Sequence, residues 1–302
     1  MATIEALKQR LEAAQELHSV VRTMKSLAAV NIRQYEQAVE SLQDYTRTVN
    51  LGLAAVLPHL GVNHNHAGRP AKGELGAVFF GTDQGMCGQL NEDVARRGAT
   101  ALEEMARGRT PRILVVGERM AGQMEERGLA YDDAYSVPNS VHGIGPKVQS
   151  LLTHLEGWQR ESGVTEVHLF YARMVSRVTH DTASLRLLPF DPRVTLNGGE
   201  GDEDAGWPKK SIPLITMAPA ELFRALVRQH LSIGLFQALA QSLASENSSR
   251  LAAMQGAEKN IEERLSALRS EFNQTRQTAI TEELLDIVTG FTALQRDGAT
   301  PV

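Results

Sequence analysis

Residues 1–57 read MATIEALKQRLEAAQELHSVVRTMKSLAAVNIRQYEQAVESLQDYTRTVNLGLAAVL, with no proline and a single glycine. Apolar residues recur there in steps of three and four, which keeps them on one narrow stripe of a helix. The stripe consists of Ile4, Leu7, Leu11, Ala14, Leu17, Val21, Met24, Ala28, Ile32, Tyr35, Val39, Leu42, Tyr45, Val49, Leu53 and Val56. A repeat sustained over about seven heptads is typical of a coiled coil, so the stretch predicts a helix roughly 80 Å long.

The far end of the chain has the same character. Residues 221–294 contain no proline, and residues 219–294 predict a second coiled-coil helix, followed by a tail at 295–302. Its apolar repeat weakens over the polar run SENSSR (245–250), which we interpret as a stutter and not a break. Because the middle of the chain must join the two helices, antiparallel pairing is the simplest way to bury both stripes.

The middle, residues 72–215, has a different period. Four short apolar runs, at 73–83, 111–118, 165–175 and 184–191, read as strands. The runs NEDVARRGATALEEMAR, with Asn91 as its N-cap, and PKVQSLLTHLEGWQRES, with Pro146 near its start, read as helices. The pattern predicts an α/β protein: a long antiparallel two-helix coiled coil from both termini and a central Rossmann-like domain with a mainly parallel sheet.

Composition excludes several classes of protein. Among 302 residues, 31 Lys and Arg face 36 Asp and Glu, so the net charge of −5 does not favour nucleic-acid binding. The single cysteine excludes an intramolecular disulfide and a CxxC metal site. No apolar run approaches 18 residues and none resembles a secretory signal, so we expect any link to a membrane to pass through a partner.

The glycine-rich run Gly81–Gly88, GTDQGMCG, follows a predicted strand and precedes a predicted helix. Such a turn can cradle phosphate, but the run lacks the P-loop lysine and the GxGxxG spacing. We therefore favour a structural turn formed by Asp83, Gly85, Cys87 and Gly88. Cys87 near a helix N-terminus could be a nucleophile, although a small buried apolar residue is the more common role.

Other candidate sites are weak. His59, His64 and His66 lack the cysteine or carboxylate ligands that would complete a metal shell, and 202–204 lacks calcium-loop spacing. We expect solvated loops at 61–73 and 197–210, with no metal and no cofactor. The remaining candidates are the helix segments 21–29 and 276–283, which antiparallel pairing could place side by side; an ordinary solvated helix face is the alternative.

Three segments carry a family resemblance. Thr23-Met24-Lys25 through Ile32-Arg33 is similar to the AMKMVAAxKLR stretch of the gamma subunits of F-type ATP synthases. Asp83 to Asn91, DQGMCGQLN, resembles their SDRGLCGGxN signature. Leu243-Ala244-Ser245-Glu246 with Arg250 and Met254, then Asn273 and Arg276 to Leu284, resemble their C-terminal signature. The matches occur in order and cover essentially the whole chain.

The resemblance implies a rotor. The coiled coil would turn inside a hexamer of alpha and beta subunits, and the central domain would dock the epsilon subunit and the c-subunit ring. Met24, Lys25 and Arg33 match shaft positions facing the beta subunits, and Arg276, Gln277, Thr281 and Glu283 match positions of hexamer contact. The apolar end 284–291 suits a bearing, because apolar contacts are non-directional, and a helix tip packed on the same chain is the alternative. Catalysis would belong to the beta subunits of a proton- or sodium-transporting ATPase, on the cytoplasmic face of the bacterial inner membrane.

Departures from the family pattern suggest a divergent member. Asn31 and Gln34 stand where the family usually has cations, and Gln84 stands where it usually has arginine. Residues 215–219 lack the usual YEPxP, so the family's contacts with the c ring do not carry over to this segment. One hypothesis is a second, alternative ATPase. Two other functions stay open: a phosphate-handling enzyme that uses the turn at 81–88, and a cytoplasmic coiled-coil tether with an α/β head.

Overall fold

The computed structural model describes residues 3–60, 73–175, 179–190 and 213–297, with side chains up to residue 290. Apart from Gly73, the loops expected at 61–73 and 197–210 lie outside the described residues, and so do His64, His66, 202–204 and the end of the tail. The chain forms two compact units, Met1–Leu27 with Ala253–Val302, and Ala28–Ala252.

The helices and strands follow one another in this order: α1 (Ile4–Val56), a 3-10 turn (Leu57–Leu60), β1 (Glu74–Phe80), α2 (Leu90–Ala106), β2 (Arg112–Val116), α3 (Glu118–Glu126), β3 (Asp133–Tyr135), α4 (Val141–Glu161), β4 (Val164–Met174), β5 (His180–Leu188) and α5 (Pro219–Asp297). The two long terminal helices are confirmed. Both α1 and α5 contribute residues to each compact unit.

The first unit is an antiparallel helix pair. His18 of α1 lies 3.5 Å from Glu262 of α5, and Lys25, further along α1, pairs with Glu258, which comes earlier in α5. Along the same face both helices bury their apolar stripes, at Leu7, Val21, Met254, Leu265 and Leu268. The sequence therefore predicts the pairing and its direction correctly.

Not every predicted stripe residue is buried. Leu17 is 53% exposed in the first unit, and Tyr45 is 45% exposed in the second. The most buried positions of α1 between residues 21 and 35 are spaced by seven, at Val21, Ala28 and Tyr35, so Leu17 falls on the flank of the seam. The tyrosine lies at the edge, where its hydroxyl donates a hydrogen bond to Gln229 Oε1 at 2.9 Å.

The second unit contains a five-stranded sheet with the order β3-β2-β1-β4-β5. The first three of these pairings are parallel, and β5 runs antiparallel to β4. The predicted mainly parallel sheet is confirmed. Two elements, β3 and α3, were not predicted. A strand of three residues is too short to show an alternating pattern, and a helix of nine residues spans little more than two turns.

Alternate residues of the strands supply two apolar cores, one on each face of the sheet. Val78 and Phe80 of β1 point to the core formed with α4 and the 231–244 portion of α5. Ala77 and Phe79 point to the opposite core, formed with α2 and α3. Burial on both faces explains why the strands read as continuous apolar runs.

Two predicted helix starts need correction. Helix α2 begins at Leu90, so Asn91 is not its N-cap. The side chain of Asn91 instead hydrogen-bonds Thr82 in the turn after β1. Helix α4 begins at Val141, five residues before Pro146. Pro146 therefore lies inside α4, past the four N–H groups that lack an intrahelical partner, and the carbonyl of His142 receives no N–H from this position.

The predicted domain boundaries, 1–57, 72–215, 219–294 and 295–302, stay a prediction. Among the described residues, no helix combines the length and the hydropathy that crossing a bilayer requires.

Two helical glycines provide a matched test of the packing of α2 on the sheet. A Cβ at Gly98 would lie 2.5 Å from Cε1 of Phe79, whereas a Cβ at Gly157 meets nothing within 4 Å. We expect Gly98→Ala to lower the free energy of unfolding by about 1–3 kcal/mol through overpacking. Gly157→Ala should raise it by up to about 1 kcal/mol through helix propensity. Urea unfolding of the full chain measures both, and equal effects would contradict the packing described.

Candidate functional site

The turn after β1 is fixed by Asp83, whose two carboxylate oxygens accept backbone hydrogen bonds. Oδ1 accepts from the N–H of Glu118, the first residue of α3, and Oδ2 accepts from the N–H of Val137, each at 2.9 Å. The next N–H, that of Arg119, donates to the Thr82 carbonyl. The N–H groups of Glu118 and Arg119 at the start of α3 therefore bond within the chain and hold this turn against α3.

The interior of the turn is a small polar cluster. Thr82 is fully buried; its N–H donates to Asn91 Oδ1, and its hydroxyl accepts from Asn91 Nδ2 and donates to the Gln84 carbonyl. Cys87 is 2% exposed, with its sulfur 3.7 Å from Asn91 Nδ2. Burial raises the pKa of the Cys87 thiol, so it stays protonated at neutral pH. These contacts suit a small structural residue better than a nucleophile.

The rest of the turn has unusual backbone geometry. Gly88 has a φ of +62° and Met86 a φ of +63°. Glycine adopts this region at no steric cost, whereas methionine is strained there. Gly85 does not have a positive φ. Its carbonyl accepts a hydrogen bond from Arg250 Nη2 at 3.4 Å. The four predicted turn residues, Asp83, Gly85, Cys87 and Gly88, therefore lie together at the carboxyl end of β1.

The polar run of α5 packs against this same end of the sheet. The helix continues unbroken through 245–250, as the stutter interpretation requires, and most of these side chains are buried. Ser245 donates to the carbonyl of Ala172 in β4, and Arg250 reaches the turn after β1. The carboxyl ends of β1 and β4 flank the point where the order of strands reverses, which is the usual ligand crevice of a doubly wound sheet. Here α5 occupies it.

A buried ion pair lies at the centre of this contact. Arg250 Nη2 donates to Glu246 Oε1 at 2.6 Å, with side-chain exposures of 11% and 8%. Burial raises the pKa of the Glu246 carboxyl, and the negative charge of Asp83 acts in the same direction, while the Arg250 guanidinium opposes both. Asn31 of α1 adds a hydrogen bond to Asn247 at 3.3 Å.

Sequence reasoning missed the structural importance of this run. It treated 245–250 as a weak point in an apolar repeat. A signal was available, since Ser242, Ser245, Glu246, Ser249 and Arg250 recur at steps of three and four and so share one helix face. A polar face of this kind within an otherwise apolar repeat indicates packing against backbone polar groups, such as those at the end of a sheet.

In the first unit, Met24 and Lys25 occupy the edge of the helix pair, and both are half-buried. The ammonium of Lys25 hydrogen-bonds Glu258 of α5 and lowers the pKa of that carboxyl. Lys25 thus forms an ion pair that joins α1 to α5. Arg33, in the second unit, is exposed on α1.

Arg276, Gln277, Thr281 and Glu283 are all exposed on α5, and the Thr281 hydroxyl donates to the Gln277 carbonyl at 2.8 Å. The expectation that 21–29 and 276–283 lie side by side is wrong. Lys25 pairs with Glu258, and residue 276 lies 18 residues, or about 27 Å, further along the helix. In this register, α5 extends beyond the first residues of α1.

The end of α5 is apolar and uncovered. All residues from 280 to 290 are exposed. Exposure reaches 57% for Leu284 and Leu285, 68% for Ile287 and 60% for Val288. Apolar side chains concentrated on one exposed helical end mark an interaction surface. The side chain of Phe291 lies outside the described residues.

Comparisons with known proteins agree with this architecture. A family model described as ATP synthase matches residues 3–294. The ATP synthase gamma chain of Nostoc punctiforme is 27% identical over 321 residues, covering 97% of this chain and 100% of the relative. That of Geotalea uraniireducens is 24% identical over 298 residues, covering 96% and 98%.

A solved structure shares the fold. A chain in the cryo-EM structure of the Euglena gracilis mitochondrial ATP synthase, comprising OSCP, F1 and the c-ring, aligns with a TM-score of 0.65. It is 19% identical and covers 99% of this chain and 97% of that one. Likeness at this identity supports the fold alone.

The buried ion pair predicts a pH-dependent stability. Arg250→Met would leave the Glu246 carboxylate buried without its partner and should cost about 3–5 kcal/mol of unfolding free energy at neutral pH. A carboxyl whose pKa is higher in the folded chain binds more protons there, so its contribution to stability falls as pH rises through that pKa. The cost should therefore shrink on acidification, which urea unfolding at several pH values measures.

The matched control is Arg228→Met, which breaks the exposed pair with Glu156. Exposed pairs contribute little, so its cost should stay below about 1 kcal/mol and show no such pH trend. Equal costs for the two variants would show that the Arg250 pair is not buried as described.

Proposed function

This chain belongs to the ATP synthase family, as a gamma-type subunit of the central stalk, and we propose that it turns as a shaft inside a hexamer of alpha and beta subunits. Rotation would couple ion translocation through a membrane ring to ATP synthesis or hydrolysis. The observation that carries the proposal is the exposed apolar end of α5 beyond its pairing with α1. A chain that functioned alone would leave this surface in water.

The uncovered end of α5 suits a bearing. Contacts between apolar surfaces are non-directional, so their strength varies little as one surface rotates past another. Directional hydrogen bonds and ion pairs would create deep minima at particular angles. We assign Leu284, Leu285, Ile287 and Val288 to this bearing, seated in an apolar collar of the hexamer.

Polar side chains on the helices would supply angle-dependent contacts. We assign hexamer contact to Met24, Lys25 and Arg33 on α1 and to a group on α5, consisting of Arg276, Gln277, Thr281 and Glu283. The exposure of Arg33 and of the α5 group is consistent with this role. Lys25 differs, because its ammonium already pairs with Glu258, so its contact with a beta subunit would involve the edge of that pair.

The α/β unit would receive torque from the membrane side through the epsilon subunit and the c-subunit ring. The hydrogen bonds of Ser245, Arg250 and Asn247 tie α5 to β4, to the turn after β1 and to α1. These contacts would make the helix follow the sheet when the sheet is turned. With the c-subunit ring as its partner, the shaft would lie at the periphery of the membrane, on the cytoplasmic face of a bacterial inner membrane.

The competing functions have less support. Helix α5 lies against the point where the order of strands reverses, which is where a doubly wound enzyme binds its ligand, and Asp83 and Arg250 bind backbone groups of the chain itself. We propose that nucleotide chemistry takes place on the partner subunits and that this chain has no activity alone. A homo-oligomeric tether would have to cover its apolar end with a second copy, which the assembly experiment distinguishes.

A charged end should weaken assembly without unfolding the chain. Leu284→Glu combined with Ile287→Glu places carboxylates on the proposed bearing, where burial in a partner would otherwise stabilise by about 1.5–3 kcal/mol per side chain. We expect at least tenfold weaker binding to the alpha and beta subunits, since about 1.4 kcal/mol corresponds to a factor of ten. Titration of the labelled chain against those subunits measures the affinity, and mass measurement should give one chain per hexamer.

The control is Gln274→Glu with Ser270→Glu, which adds the same charge at exposed positions along the paired part of α5. It should bind within about threefold of the parent chain, a difference of roughly 0.7 kcal/mol. Wild-type binding by the Leu284 and Ile287 variant, or a purified chain that is a stable homo-oligomer, would overturn the proposal.

A further inference from the structure

Three side chains with metal-ligating atoms converge on the helix pair of the first unit. They are His18 of α1 and, one turn apart on α5, Glu258 and Glu262. One ligand atom of each lies within 4.8 Å of the others, and His18 Nε2 is 3.5 Å from Glu262 Oε1. The i, i+4 spacing directs both carboxylates toward the same face of α5.

The histidine nitrogen in this cluster lacks a hydrogen-bond partner. Nε2 of His18 is shielded from solvent and makes no hydrogen bond within the described part of the chain. A shielded polar atom without a partner costs free energy. A neutral imidazole with its proton on Nδ1 presents a lone pair at Nε2, which a cation between the carboxylates would satisfy.

We propose that His18, Glu258 and Glu262 form a binding site for a divalent transition-metal ion, with Zn²⁺ as the best fit. One imidazole nitrogen and two carboxylate oxygens, completed by water, are ligands that zinc accepts, whereas magnesium and calcium favour oxygen alone. Tetrahedral zinc with bonds of about 2.0–2.2 Å places its ligand atoms about 3.4 Å apart. The separation of 3.5 Å between His18 and Glu262 already matches.

The rest of the shell needs only side-chain rotation. The Glu262 side chain is 61% exposed, so its carboxylate can adjust its position beside His18 and Glu258 without disturbing the packing of the seam. Glu258 Oε2 is held by Lys25, which leaves Oε1 as the ligand oxygen. Leu265 and Met254, on the seam itself, are not required to move.

Lys25 competes with the metal. Its ammonium and the guanidinium of Arg22 both act on Glu258, so a dication must displace or tolerate positive charge there. The affinity of the site is therefore limited by Lys25, and removing that charge should strengthen metal binding. A bound ion would join α1 to α5 across the seam and hold the two helices in one register.

The test is zinc titration of the full chain, followed by isothermal calorimetry and by the visible spectrum of bound Co²⁺. All proteins carry His64→Gln and His66→Gln, so the histidine-rich sequence after α1 supplies no second site. We expect one ion per chain, at least tenfold weaker binding for His18→Gln, and binding several-fold tighter for Lys25→Met. His142→Gln, which changes an exposed histidine of α4, is the matched control and should bind as the parent does.

A second readout separates a bridging ion from one held on a single helix. Zinc should raise the midpoint of thermal unfolding of the parent by a few degrees and leave that of His18→Gln unchanged, because only a bridge stabilises the pair. Unaltered affinity in His18→Gln would overturn the proposal. A Lys25→Met variant that binds no tighter than the parent, or the absence of binding in the parent, would also overturn it.

Discussion

The architecture depends on burial of two apolar stripes at opposite ends of one chain. Each helix alone would expose its apolar stripe to water. Helices in proteins gain most of their stability from packing such a stripe against another element. In the first unit, Leu7 and Val21 of α1 share the seam with Met254, Leu265 and Leu268 of α5. The ion pair between Lys25 and Glu258 at the edge of the seam determines which turn of α1 lies beside which turn of α5. Once this register is set, α5 extends past the start of α1, and within the described part of the chain residues 280–290 stay exposed.

A second constraint acts in the α/β unit, where a sheet crevice is closed by the chain itself. Ser245 and Arg250 bring hydrogen-bond donors to the carboxyl end of β4 and to the turn after β1. Backbone groups at strand ends need partners when they are buried, and in a ligand-binding protein a cofactor would supply some of them. Here a helix supplies them. The same geometry that removes a ligand site thus secures the helix to the sheet.

Much of this architecture could be predicted from the sequence, because period and composition determine it. The steps of three and four in α1 and α5 were sufficient for the helices, and the runs around Phe79 and Leu114 for two strands. The burial of individual positions was less accessible: Leu17 fits the repeat but lies on the flank, since a straight helix drifts relative to a seven-residue spacing. The role of Asn91 in the turn and the polar contact of Glu246 depend on distant partners, which periodicity does not reveal.

The antiparallel register of the first unit is the central claim, and spin-label distances test it most directly. In a Cys87→Ala background, one label at Glu12 pairs with a second at either Glu271 or Gln255, all exposed positions. Because 16 residues of helix span about 24 Å, the distance from Glu12 to Glu271 should be shorter than that to Gln255 by roughly 15 Å. Equal distances, or the reverse order, would contradict the pairing on which the account rests.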